Sequence, residues 1–232
     1  MGKAVLLDLD GTLLPIDIEY FIQSYFKLLT EYFNSTFEAD IFINNLMTAT
    51  RKMIENNGKK YNYEIFEEEF FKLTEVDNPD TIMDKFDNFY KEQFPKLREE
   101  IEVNSRSMKL INILKKKGYQ LVLATNPVFP RRAIKERIRW MGIEPDEFSF
   151  ITSYENMHYC KPALNYYNEI MTKLNLDPVE CIMVGNDMQE DMVAGKLGMR
   201  TFLVTDYLIN RTEEDLNCDW KGSFEELIIY FR

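Results

Sequence analysis

The sequence predicts an α/β protein with a mainly parallel sheet and an inserted, wholly helical second module. Short runs rich in Val, Leu and Ile alternate with helix-periodic segments from residue 106 to residue 205. That alternation builds strand–helix–strand units, whose right-handed crossovers lay strands parallel. A first apolar run, residues 3–8, stands apart from the rest, and the stretch 16–96 between them holds no convincing strand. At 232 residues the chain is long enough for one large core with a smaller domain attached.

Taken in order, residues 3–8 read as a buried strand ending in a turn. In the insert, Phe21, Tyr25, Leu28 and Tyr32 recur at helical spacing, as do Phe42, Leu46, Ala49 and Met53, the second series running into Asn56-Asn57-Gly58. Residues 65–73 and 82–94 give two further helices, the latter preceded by Pro79-Asp80. The expected division is therefore 1–15 and 97–232 for the sheet domain and 16–96 for the helical module. Of the 32 aromatic residues, 17 fall in that module, either lining an apolar pocket or, more economically, giving a small bundle enough core. Glu67-Glu68-Glu69 reads as a solvated helix face.

The remaining elements follow the strand–helix rhythm. Residues 106–117 form a helix with Met108, Ile111 and Leu114 or Ile113 inward, closed by Lys115-Lys116-Lys117-Gly118. Strands are expected at 120–125, 148–153, 180–185 and 200–205. Pro130 opens a helix running to Gly142, and Pro162 suits the first turn of a helix over 163–173.

A net charge of -11 and a pI near 4.8 make nucleic acid and anionic membranes poor partners. No apolar run is long enough to span a bilayer, and the chain enters its first strand without a basic-then-apolar leader. Cys160, Cys181 and Cys218 show neither CxxC nor metal-ligand spacing. The expectation is a cytoplasmic protein with reduced thiols.

Four polar sites fall at strand ends or just before helices. Asp8 and Asp10, spaced i and i+2 at a strand's carboxyl end, point the same way into the crevice where open α/β sheets bind ligands. Two like charges there need a cation, a shared proton, or a reaction that uses them; the plainer reading is an acidic turn. A calcium loop is excluded, because its sixth position would be Leu13 and a strand, not a helix, precedes it. Thr125-Asn126 offers an anion cup or simply starts a turn. Lys161 lies at a helix N-terminus, where it opposes the dipole and makes sense facing an anion. Asp187 and Asp191, at i and i+4, either converge on a metal or cap a helix. His158 reads as a turn residue. Arg131, Arg132, Arg137 and Arg139 guide an anionic substrate or simply cover a solvated face. Lys52, Lys59 and Lys60 are candidates for leaving-group recognition.

The order of these sites resembles the haloacid dehalogenase superfamily: Val5-Leu6-Leu7-Asp8-Leu9-Asp10-Gly11-Thr12-Leu13-Leu14, then Ala124-Thr125-Asn126, Lys161-Pro162, and Val184-Gly185-Asn186-Asp187 with Asp191. Asn186, between the glycine and the first acid, is a variation on the fourth motif. The resemblance implies a Rossmann-like three-layer sandwich with a helical cap of the first type. It further implies an Asp8 nucleophile that forms an aspartyl phosphate and an Asp10 acid/base. Mg²⁺ would be held by Asp8, the Asp10 backbone carbonyl and Asp187, with Asp191 direct or one layer removed. Thr125, Asn126 and Lys161 would bind phosphate. By the same resemblance, Asp10 favours phosphate chemistry over carbon–halogen cleavage, and the expected activity is hydrolysis of a small soluble phosphomonoester. A phosphomutase, a phosphonatase using a cap lysine, and a non-catalytic binding protein are the alternatives.

Overall fold

The computed structural model describes residues 3–100, 105–212 and 218–232; the other residues of the expected domain spans lie outside these. Six parallel strands form one sheet in the order β3-β2-β1-β4-β5-β6. They are β1 (Ala4–Leu7), β2 (Gln120–Leu123), β3 (Phe150–Ile151), β4 (Cys181–Gly185), β5 (Arg200–Val204) and β6 (Trp220–Gly222). β1 pairs with β2 through Ala4↔Gln120 and with β4 through Ala4↔Cys181, so it sits at the centre. Connections run to one side of β1 and then return to the other, and at that reversal a crevice opens at the strands' carboxyl ends.

Side chains of β1 alternate between two cores. Val5 and Leu7 pack with α5 (Arg106–Lys116), α6 (Arg131–Trp140) and α8 (Phe224–Tyr230), together with the insert. Ala4 and Leu6 pack with Tyr166, Tyr167 and Ile170 of α7 (Leu164–Leu174) and with Ala194 of a 3-10 helix, Met192–Leu197. Helices on both faces of a parallel sheet make the expected three-layer α/β sandwich.

Among the described residues between β1 and α5 lie four α-helices, α1 (Ile18–Phe33), α2 (Ala39–Ile54), α3 (Asn62–Thr74) and α4 (Pro79–Glu92), followed by a 3-10 helix, Phe94–Glu100. Local chemistry sets their ends. The Asp17 carboxylate accepts from the backbone N–H groups of Glu19 and Tyr20, and Asn78 caps α4 with Pro79 in its first turn. Phe33, Phe42, Phe70 and Phe86 meet at the centre, with Phe33–Phe42 centroids 5.0 Å apart and Phe33–Phe86 4.6 Å apart.

Several expectations shift. The buried stripe of α1 is Phe21, Tyr25, Leu29 and Phe33, with Leu28 and Tyr32 only partly covered, because the inward line keeps a spacing of four. On α5 the inward face is Ser107, Leu110, Ile111 and Leu114, which turns Met108 out to 38% exposure. Pro162 precedes α7 rather than entering it, because Ala163 is the cap. The fourth motif opens into a turn and then a 3-10 helix instead of a regular α-helix. β6 was not expected, since this three-residue edge strand carries no apolar run.

Candidate active site

Asp8 follows directly on β1, and its N–H donates to the Val184 carbonyl of β4 at 2.9 Å, so the ladder itself fixes its position at the crevice. The chain then turns sharply. The Leu9 carbonyl accepts from Thr12 and Leu14, and Gly11 adopts φ +77°. A Cβ on Gly11 would also lie 2.4 Å from the Asn186 amide nitrogen, so only glycine fits this turn. Asn186 does structural work here. Its carbonyl oxygen accepts from Thr12 Oγ1 at 2.9 Å and its amide donates to the Tyr207 carbonyl at 2.6 Å, tying the first motif to the fourth.

Lys161 lies in the middle of the charged cluster, 2% exposed. Its Nζ donates to Asp8 Oδ1 at 2.9 Å and to Asp191 Oδ1 at 2.6 Å. Burial alone would push the ammonium pKa down, but the charges of Asp191 and Asp8 outweigh it and hold the pKa well above the ordinary lysine value. Asp191 is pushed upward by burial, with Lys161 opposing. Its second oxygen accepts from the Asp187 N–H at 3.0 Å, so both oxygens are committed inside the protein. Gly185 makes room for it, since a Cβ there would stand 2.0 Å from Asp191 Oδ2.

The other expected residues border this cluster. Thr125 is 3% exposed, and its backbone carbonyl is held by Tyr166 Oη at 2.9 Å and Thr152 Oγ1 at 2.7 Å. Asn126 accepts from the Lys161 N–H at 3.3 Å and donates to Glu190 at 3.1 Å. Asp187 Oδ1 accepts from the N–H groups of Gln189 and Glu190, and its Oδ2 pairs with the half-exposed Arg211 at 2.6 Å.

Asp10 has a partner that the sequence reading left among four equivalent arginines. Arg137 of α6 is fully buried, and its Nη1 donates to Asp10 Oδ2 at 2.5 Å. Burial raises the Asp10 pKa, with Arg137 opposing. Arg131, Arg132 and Arg139 are exposed. The signal lay in the pattern, because Arg137 falls three and four residues after Ile134 and Ala133 on the inward face of α6. His158 is bonded to Glu169 at 2.7 Å, and its ring lies tilted against Tyr61 with centroids 4.1 Å apart. Lys52, Lys59 and Lys60 are all exposed.

A cavity of about 260 Å³ lies where the insert meets the sheet domain, bounded by Tyr25, Phe26, Leu46, Phe86, Val128 and Phe129 among others. Among the described residues no Lys, Arg or His lines it, and Arg132 stands 3.9 Å from its Asp87. It adjoins the cluster through Phe129, whose ring centroid is 4.6 Å from the Arg137 guanidinium carbon.

Among the described residues no three His, Cys, Asp or Glu side chains stand together as a metal cage. The donors at hand still fit a hard cation. Asp8 and Asp187 end adjacent strands and offer carboxylate oxygens, and Mg²⁺ is ordinarily held by one or two carboxylates, with waters and substrate oxygens completing its shell.

A family model described as haloacid dehalogenase-like hydrolase matches residues 3–198. Pyrophosphatase PpaX of Bacillus velezensis is 26% identical over 196 residues, covering 83% of this chain and 78% of that protein. A 2-haloacid dehalogenase from Pseudomonas syringae superposes with a TM-score of 0.69 at 18% identity over 99% of both chains. A HAD-hydrolase, YfnB, from Bacillus subtilis bound to magnesium superposes with a TM-score of 0.60 at 18% identity, over 100% of this chain and 99% of that one.

Proposed function

The chain belongs to the haloacid dehalogenase-like hydrolases, and from this premise we propose that it is a Mg²⁺-dependent phosphomonoester hydrolase acting on a small soluble phosphate. The observation that carries the reading is the buried bridge from Asp8 through Lys161 to Asp191. A carboxylate poised to attack an anion needs its own charge offset, and Lys161 does this while retaining one of its three donors for a phosphoryl oxygen. The relative named a pyrophosphatase supports phosphate chemistry. The mostly apolar lining of the adjoining cavity suits an uncharged leaving group, which supports a monoester.

In this mechanism an Asp8 oxygen bonds to phosphorus while the bond from phosphorus to the leaving oxygen breaks, and Asp10 gives that oxygen a proton. Water then attacks phosphorus, its proton passes to Asp10, and the Asp8 carboxylate is released. The Thr125 hydroxyl, backbone N–H groups near Asn126, and Lys161 hold the phosphoryl oxygens. Asp8, Asp187 and the Asp10 backbone carbonyl would hold Mg²⁺, which when bound neutralises phosphoryl charge. Asp191, whose oxygens accept from Lys161 and the Asp187 N–H, orients both groups. Residues 16–96 serve as a cap over a catalytic domain of 1–15 and 97–232. Three cysteines without disulfides fit a cytoplasmic setting, and no described helix is long and apolar enough to cross a membrane.

The test is hydrolysis of p-nitrophenyl phosphate with Mg²⁺, with EDTA, and by Asp8→Asn. Turnover that needs both the metal and Asp8 is expected. Turnover that survives in Asp8→Asn would refute the assignment.

A further inference from the structure

Arg137 is the largest of the fully buried side chains, and its setting is unusual for a structural arginine. Three buried side-chain nitrogen or oxygen atoms lack a hydrogen-bond partner among the described residues, and all belong to one ion pair: Asp10 Oδ1, Arg137 Nε and Arg137 Nη2. Buried polar atoms without partners are rare and costly, and they concentrate where a ligand or a reaction completes them. An apolar residue would suit the inward face of α6, as Ile134 and Ile138 beside it do. The guanidinium is instead flanked by two aromatic rings, with Phe129 at 4.6 Å and Phe21 at 5.6 Å from its carbon. Those rings restrict its movement and attract its charge.

The two oxygens of Asp10 are thereby made unequal. Oδ2 accepts from Arg137, while Oδ1 is left open. Arginine only donates, so Oδ2 is engaged as an acceptor and Oδ1 is the oxygen without a partner among the described residues. We infer that Arg137 is a positioning residue for the reaction: it holds Asp10 by Oδ2 so that Oδ1 faces the oxygen of the leaving group. This rests on the phosphohydrolase reading above. In the first half-reaction the proton leaves Oδ1 for the departing oxygen as its bond to phosphorus breaks. In the second, Oδ1 takes the proton of the attacking water as the bond from Asp8 to phosphorus breaks. Arg137 touches neither substrate nor phosphorus, and it acts by fixing one carboxylate.

Such a role makes a distinctive kinetic claim, because proton donation matters most when the leaving alcohol is basic. The experiment compares kcat on p-nitrophenyl, phenyl and p-methoxyphenyl phosphate for the wild-type protein, Arg137→Lys, Phe129→Leu and Asp10→Asn, with thermal midpoints recorded alongside. Phe129→Leu leaves both members of the ion pair in place and serves if Arg137 variants fold poorly. The loss in Arg137→Lys should steepen with leaving-group basicity, from about ten-fold or less on the nitro ester to ~10²-fold or more on the others, in parallel with Asp10→Asn. Phe129→Leu should show a smaller steepening in the same sense. An equal fold-loss on all three esters in both Arg137→Lys and Phe129→Leu would overturn the positioning role and leave the phosphohydrolase reading intact. No Asp8-dependent turnover of any ester by the wild-type protein would overturn that reading, and this inference with it.

Discussion

Lys161, at the carboxyl ends of the sheet, and Phe42, at the centre of the helical insert, are both almost wholly buried, yet opposite physics holds them in place. Lys161 is fixed by two carboxylates and would be expensive to bury without them. Phe42 is fixed by area and shape, packed against Phe33, Phe37 and Phe70 with no polar requirement. One region therefore keeps charges where folding alone would not put them, and the other supplies apolar burial. The difference separates what a substitution does to chemistry from what it does to stability.

The largest expected effect is on chemistry alone. Asp8→Asn should reduce turnover on the order of 10⁴-fold or more while the thermal midpoint stays close to wild type, as steady-state assay and calorimetry would read. Lys161→Met should damage both properties. It strands Asp8 and Asp191 in a buried site, at a cost of about 3–5 kcal/mol in denaturant unfolding, and abolishes phosphate turnover. Phe42→Ala should cost a similar ~3–5 kcal/mol through the cavity it leaves, while the folded fraction keeps kcat within about two-fold. A large kcat loss in folded Phe42→Ala would break the comparison, because the insert's core would then be part of the chemistry. Gly185→Ala tests the boundary between the regions from the other side. Its added carbon collides with Asp191 and should cut kcat by ~10²-fold through Lys161, with no change at the insert.

The smallest effect concerns pH. Burial pushes the Tyr25 phenol in the insert up to about 12, where it shares a 2.8 Å hydrogen bond with Tyr90. The folded value lies above the unfolded one of about 10, so this contribution to stability is complete below pH ~10 and is lost as pH rises toward the folded value. Urea midpoints should be flat near neutrality and fall in that alkaline window, and Tyr25→Phe should blunt the fall. An identical fall in Tyr25→Phe would assign it to other groups.

Much of this was legible in the sequence because it depends on local order. Apolar runs and their punctuation set the strands, and the acids at strand ends had to meet once the strands were parallel. The four helices of the insert followed from spacing and from punctuation such as Asn56-Asn57-Gly58 and Pro79-Asp80. What was missed depends on tertiary contact. Arg137 looked like its exposed neighbours because one more arginine adds nothing to a charge pattern, and only the inward period of α6 set it apart. Asn186 looked like an irregular insertion into an acidic motif, and its clamp on Thr12 and Tyr207 exists only after the first and fourth motifs are brought together. Asp191 read as a metal ligand or a cap, and its bond to Lys161 exists only after the third and fourth motifs are brought together.

The account depends most on Asp8 acting as a nucleophile, and the measurement that tests this most directly is acid quench of the protein during turnover of a ³²P-labelled monoester, followed by peptide mapping. A hydroxylamine-labile label on the peptide containing Asp8, absent in Asp8→Asn, is the predicted result. Full-rate hydrolysis with no label on the protein, or a label on another residue, would contradict it.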